Sequence, residues 1–161
     1  MPIFLTDGEI ADKVNEIKPL QKDFSKLFQP KQKNGHREFN LNIDGGNGSQ
    51  FRLVFRQSIF NSLDFSVILL YLPVGTNRHF RIRRYNGKSH EHTNKLENET
   101  FYDFHIHQAT ERYQAAGWDE DDYAQPTQRY SDHHGALTCM LNDCGFEIAG
   151  VKQSLSGWGL F

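Results

Sequence analysis

The stretch Arg78-His79-Phe80-Arg81-Ile82-Arg83-Arg84-Tyr85-Asn86-Gly87-Lys88-Ser89-His90-Glu91-His92-Thr93-Asn94 decides how the chain folds and where its chemistry lies. Residues 78–85 alternate, with Phe80 and Ile82 on one side and His79, Arg81, Arg83 and Tyr85 on the other, the period of a half-buried strand. Asn86-Gly87 is the favoured pair for a two-residue type I′ hairpin. Such a turn sets Tyr85 opposite Lys88, Arg83 opposite His90, Arg81 opposite His92 and His79 opposite Asn94. Directly opposed residues share a face. One face is therefore expected to collect His79, Arg81, Arg83, Tyr85, Lys88, His90, His92 and Asn94, and a one-residue slip would scatter the set.

Outward from this stretch, residues 95–99 read as a second turn. In residues 101–107, Tyr102, Phe104 and Ile106 look inward, leaving Asp103, His105 and His107 opposite. If this strand lies beside residues 89–94, its histidines join the same surface, since consecutive strands are commonly neighbours. On the N-terminal side, residues 37–43 and 51–55 alternate about Asp44-Gly45-Gly46-Asn47-Gly48, a strong turn signal. Residues 65–72 are apolar on both faces apart from Ser66, so they are expected to form the central strand.

Thr6-Asp7-Gly8-Glu9 reads as a capping box. Apolar residues then recur at helical spacing, so residues 7–28 are expected to be mainly helix, with a kink or restart at Pro19. Residues 29–36 read as a loop. Residues 108–116 form a helix ending at Gly117, and the acidic run 119–122 suits a helix start. A last helix, capped by Ser131, runs to Cys144. The pattern is an α+β fold in a single domain, residues 1–161: an antiparallel sheet of about five or six strands, with an N-terminal helix and C-terminal helices packed on one face.

The chain has 161 residues, 37% hydrophobic and 24% charged, with 13 Phe and a net charge of −2. This is a globular composition, without the global basic field that advertises nucleic acid or membrane. Residues 1–5 lack a basic start and a long apolar run, so no signal peptide is expected. The longest apolar run, 67–72, is far short of the roughly 20 residues that cross a bilayer. Cys139 and Cys144 lie five apart in one predicted helix, on different sides of it, which argues against a disulfide. A cytoplasmic protein with no membrane contact is the resulting expectation. The tail 146–161 is glycine-containing and apolar, and could support a homodimer or contact a protein partner.

Six of the eight histidines fall in His-x-His or His-His pairs: His90-Glu91-His92, His105-Ile106-His107 and His133-His134. Residues i and i+2 of a strand are neighbours about 7 Å apart. Three readings follow. A small toxin-like, metal-independent ribonuclease, or another RNA- or phosphoester-directed enzyme, would use His92, His105 and His107 as acid and base. Arg81 and Arg83 would sit on the developing charge, with His79, Tyr85, Lys88 and Asn94 binding an RNA or other phosphate-containing ligand. That reading needs no cofactor. The alternative is a divalent transition metal such as zinc on His90, His92, His105 and His107, against which the charges of Arg81, Arg83 and Lys88 stand. A non-enzymatic binding module is the third reading, since His and Arg alternating with core residues also describe a solvated sheet face.

The run Arg83-Arg84-Tyr85-Asn86-Gly87 with His92-Thr93-Asn94 and His105-Ile106-His107 resembles small bacterial proteins grouped as a domain of unknown function. The resemblance covers residues 78–107. It implies a bacterial or phage-related, cytoplasmic protein and carries no activity with it.

Overall fold

In the computed structural model, which describes residues 3–148, the capping box at Thr6 is complete. The Glu9 amide donates to Thr6 Oγ1 at 3.1 Å, and the Thr6 amide donates to Glu9 Oε1 at 3.0 Å. Helix α1 (Asp7–Asn15) buries Ile10 and Val14. Thr6→Ala is expected to cost about 1 kcal/mol of stability, read as a lower unfolding midpoint in urea with an unchanged slope.

The helix expected over 7–28 stops at residue 15. Pro19 lacks an N–H and cannot continue it. Residues Lys18–Leu20 instead form β1, and Phe24–Phe28 form a 3-10 turn. The Lys18 side chain secures this change of direction. Its buried ammonium donates to the carbonyls of Lys13, Val14, Glu16 and Cys144 at 2.6–3.1 Å, satisfying acceptors that a helix end leaves open. Burial pushes its pKa down to about 8, so the group remains largely protonated at neutral pH.

Strands β2 (Lys31–Lys33), β3 (His36–Asp44), β4 (Gln50–Ser58), β5 (Phe65–Leu72), β6 (Phe80–Asn86), β9 (His105–Gln108) and β10 (Ala124–Pro126) make one antiparallel sheet in the order β10-β9-β6-β5-β4-β3-β2. The sheet has seven strands rather than five or six, because residues 31–33 and 124–126 add its two edges. β5, apolar on both faces, takes the middle position. The glycine-rich turn closes β3 on β4 with Asp44 opposite Gln50.

Of the helix expected over residues 108–116, Glu111–Ala115 forms (α2). On one face Phe39, Leu53, Phe55, Val67, Leu69 and Tyr85 form a core cluster with Ile10 and Val14 of α1 and with Leu137, Met140 and Leu141 of α3 (His133–Asp143). α3 is capped by Asp132, which accepts from the Gly135 amide at 2.8 Å, and not by Ser131. After it, β11 (Phe146–Ile148) pairs in parallel with β1. The rest of the tail, and with it the expected partner contact, lies outside the described residues. Among the described residues no helix is long and apolar enough to cross a membrane.

The stretch 78–94 folds differently from the sequence expectation. Neither Asn86 nor Gly87 takes a positive φ, so no type I′ turn forms. β6 runs on alongside β5: the Gly87 amide donates to Phe65 O at 2.9 Å and the Lys88 amide to Leu63 O at 2.8 Å. A Cβ on Gly87 would lie 1.9 Å from Leu63 O. The glycine is there for close approach, not for a turn. The partner of β6 on its other side is β9, with Asn86 opposite His105 and Arg84 opposite His107. β7 (His92–Asn94) pairs instead with β8 (Glu99–Phe101) in a separate two-stranded hairpin, closed through Asn98 at φ 56°. The expected pairs Tyr85–Lys88, Arg83–His90, Arg81–His92 and His79–Asn94 do not form.

A bulge in β6 changes the faces as well. Leu69 pairs with Arg83 and Leu70 with Arg81, leaving Ile82 unpaired, and an extra residue shifts the alternation that follows. Tyr85 is consequently fully buried in the core, where its hydroxyl donates to Asp143 Oδ2 at 2.5 Å. Arg83 lies near the same Tyr85 hydroxyl and Asp143. Arg84, not Arg83, shares the side of the histidines.

Candidate metal centre

β9 directs Ile106 into the core and places His105 and His107 on the opposite face, 1% and 4% exposed. His92, half-buried on β7, meets them from the hairpin. Its ring centroid is 5.4 Å from that of His105 and 4.8 Å from that of His107, and the latter two are 5.0 Å apart. One ring nitrogen from each of the three lies within 4.8 Å of the others. Phe101 flanks His92 and His105 at 5.4 and 5.7 Å.

Each imidazole is oriented by a hydrogen bond on one of its nitrogens. A carbonyl only accepts, so His105 Nδ1–H donates to Asp103 O at 2.8 Å and His107 Nδ1–H donates to Asp121 O at 2.7 Å. Both rings therefore carry their lone pair on Nε2 when neutral, and that of His105 faces the Asn86 amide, Nδ2 at 3.5 Å. For His92 the partner is Asn94 Oδ1 at 2.8 Å. The Asn94 amide is itself fixed by Ala124, whose N–H donates to Oδ1 at 2.9 Å and whose carbonyl accepts from Nδ2 at 2.7 Å. Its oxygen thus faces His92, and His92 donates from Nε2, leaving Nδ1 free. Asn94→Ala is expected to lower any metal affinity of the cluster by roughly 10- to 100-fold, the effect of losing an orienting partner, measurable by competition with a chelating dye.

His105 and His107 are held uncharged. Burial lowers the pKa of His105 to about 4. Burial, with the nearby Arg84 guanidinium, lowers that of His107 to about 2. Arg84 is balanced in turn: its Nε is 3.2 Å from Asp121 Oδ2, and Arg81 Nε is 3.4 Å from Asp121 Oδ1 and 3.2 Å from Glu120 Oε2. Asp121 is wholly buried, and burial pushes its carboxyl up despite both arginines.

The candidate residues are placed as follows. His92, His105 and His107 come together. His90 is exposed, its ring 6.2 Å from that of His105. Arg81 faces the acidic 119–121 segment, and Arg83 lies on the core side near Tyr85. His79 is exposed in a cleft that Glu120 also lines, Lys88 sits 5.7 Å from the Tyr102 ring centroid, and Asn94 is buried in support of His92. His79, Tyr85, Lys88 and Asn94 thus form no common binding surface.

Sequence reasoning missed Asp121 and Arg84. The acidic run 119–122 does not start a helix; its Asp121 supplies both a carbonyl for His107 and a carboxylate for Arg81 and Arg84. The available signal was the match between residues 78–88, whose charged residues Arg78, Arg81, Arg83, Arg84 and Lys88 are all cationic, and the all-acidic run 119–122. The chain matches no protein-family model, curated protein or solved structure.

Proposed function

We propose that His92, His105 and His107 bind one divalent transition metal, with zinc the best chemical match, and that the metal fastens the β7–β8 hairpin to β9. The observation that carries this is the set of three converging imidazoles, each oriented by an acceptor on one nitrogen and carrying its lone pair on the other, where His105 faces the Asn86 amide at a long 3.5 Å. A hydrogen bond from the non-ligating N–H to a carbonyl is the usual support of a metal-bound histidine. Zinc binds imidazole nitrogen at 2.0–2.1 Å, which puts neighbouring ligands of a tetrahedron about 3.3 Å apart. Small ring movements from the present separations reach that value. Neutral nitrogen ligands without thiolate suit zinc, copper, iron or nickel. The arginine charges that weigh against a cation in the sequence are matched here by Asp121 and Glu120, or lie on the other side of the sheet.

Proton transfer by the same histidines without a metal is less well supported. A general acid works best with a pKa near the operating pH, and burial holds His105 and His107 well below it. The test is a calorimetric titration of chelator-stripped protein with Zn²⁺ at pH 7. One equivalent should bind, with no proton released from His105 or His107 because neither carries one to lose. Absence of binding overturns the reading.

A further inference from the structure

Three imidazoles leave a tetrahedral ion one ligand short, and the group that takes that position decides what the metal does. An open position filled by water makes a catalytic centre; a fourth protein ligand makes a structural one. Resting on the metal site proposed above, we infer that His90 supplies the fourth ligand and that the ion is a structural clamp.

His90 is two residues before His92, and its ring stands 6.2 Å from that of His105 at 84°. His90 lies beyond the last backbone bond of this segment to the β5 side, Lys88 to Leu63, and outside the strands, so no ladder of backbone bonds fixes it in its place. Its ring has Ser89 Oγ at 3.2 Å from Nδ1, an exposed contact that a metal–nitrogen bond readily replaces. Phe101 screens His92 and His105 and brings no ligand atom. Closure by His90 joins residues 90–92 to residues 105–107 through one ion. The loop, the hairpin and β9 are then tied together where the main sheet and the β7–β8 hairpin meet through histidine side chains.

The experiment uses Co²⁺ as a spectroscopic probe on the full chain, comparing wild type with His90→Ala and His105→Ala, and adding azide as a competing ligand. The expected wild-type result is one equivalent of Co²⁺ with the intense visible bands of tetrahedral coordination, unchanged by azide. His90→Ala should bind at least roughly tenfold more weakly, with bands that now shift when azide enters. Because His90 is exposed, its truncation leaves the core packing intact. Azide-sensitive bands in wild type, or a His90→Ala protein equal to wild type in affinity, overturn this inference and leave the three-histidine site standing as an open one. Failure of wild type to bind either Co²⁺ or Zn²⁺ overturns the metal site itself.

Discussion

His107→Ala is expected to lower zinc affinity by more than about 100-fold, because losing an outer partner alone costs 10- to 100-fold and this change removes a ligand. The stability effect follows by mass action. Zinc at 100 times its dissociation constant stabilises a folded site by about 2.7 kcal/mol. For a chain of this length that raises the unfolding midpoint by roughly 5–11 °C. The wild-type shift should vanish in His107→Ala and in His105→Ala, and persist in His133→Ala, whose ring lies at the start of α3. The comparison is made within each variant, with and without zinc, so that any cost of the substitution to the metal-free fold cancels. Differential scanning calorimetry reads the result directly. Equal zinc-induced shifts in wild type and His107→Ala would contradict the account.

Acid should weaken the metal-free protein well before its carboxylates titrate. His105 and His107 have folded pKa values of about 4 and about 2, against about 6.5 unfolded. Below pH 6.5 the unfolded chain therefore takes up protons that the folded chain refuses. The stability these groups contribute is full above pH 6.5 and is lost as pH falls toward their folded values. Each contributes about 1.4 kcal/mol per pH unit in that range, so going from pH 6.5 to 5 costs up to about 4 kcal/mol, a large part of a typical 5–15 kcal/mol. Asp121, whose carboxyl burial raises, works in the opposite sense and reduces the fall. The carboxyls of Asp143 and Glu120, held low by their arginines, enter only at lower pH. Urea unfolding at pH 7 and pH 5 measures the difference, and equal free energies at the two values would contradict it.

Much of this is written locally in the chain. Alternation about Ile106 puts His105 and His107 on one face of a strand, and that follows from the pleat alone. The capping box at Thr6, the turn at 44–48 and the central place of 65–72 are equally local. The register of 78–94 is not. Asn86-Gly87 has the composition of a hairpin turn, yet tertiary pairing with Leu63 and Phe65 uses Gly87 for its missing side chain. Nothing in the alternation announces the bulge at Ile82, because an unpaired isoleucine remains apolar and buried. That one residue exchanges Arg83 for Arg84 beside the histidines and turns Tyr85 into the core. The partnership of Arg81 and Arg84 with Asp121 spans nearly forty residues, and only complementary charge hinted at it. His92 reaches the site by a route that sequence adjacency did not supply: it comes from a hairpin held over β9 by Asn94 and Ala124, not from a strand paired beside it.

The central claim is that three oriented imidazoles surround one metal ion. An anomalous difference map at the zinc edge, from crystals grown with one equivalent of Zn²⁺, tests it most directly. A single strong peak bounded by the rings of His92, His105 and His107 is the predicted result. No peak there, or zinc held only elsewhere, such as at His133 and His134, would contradict it.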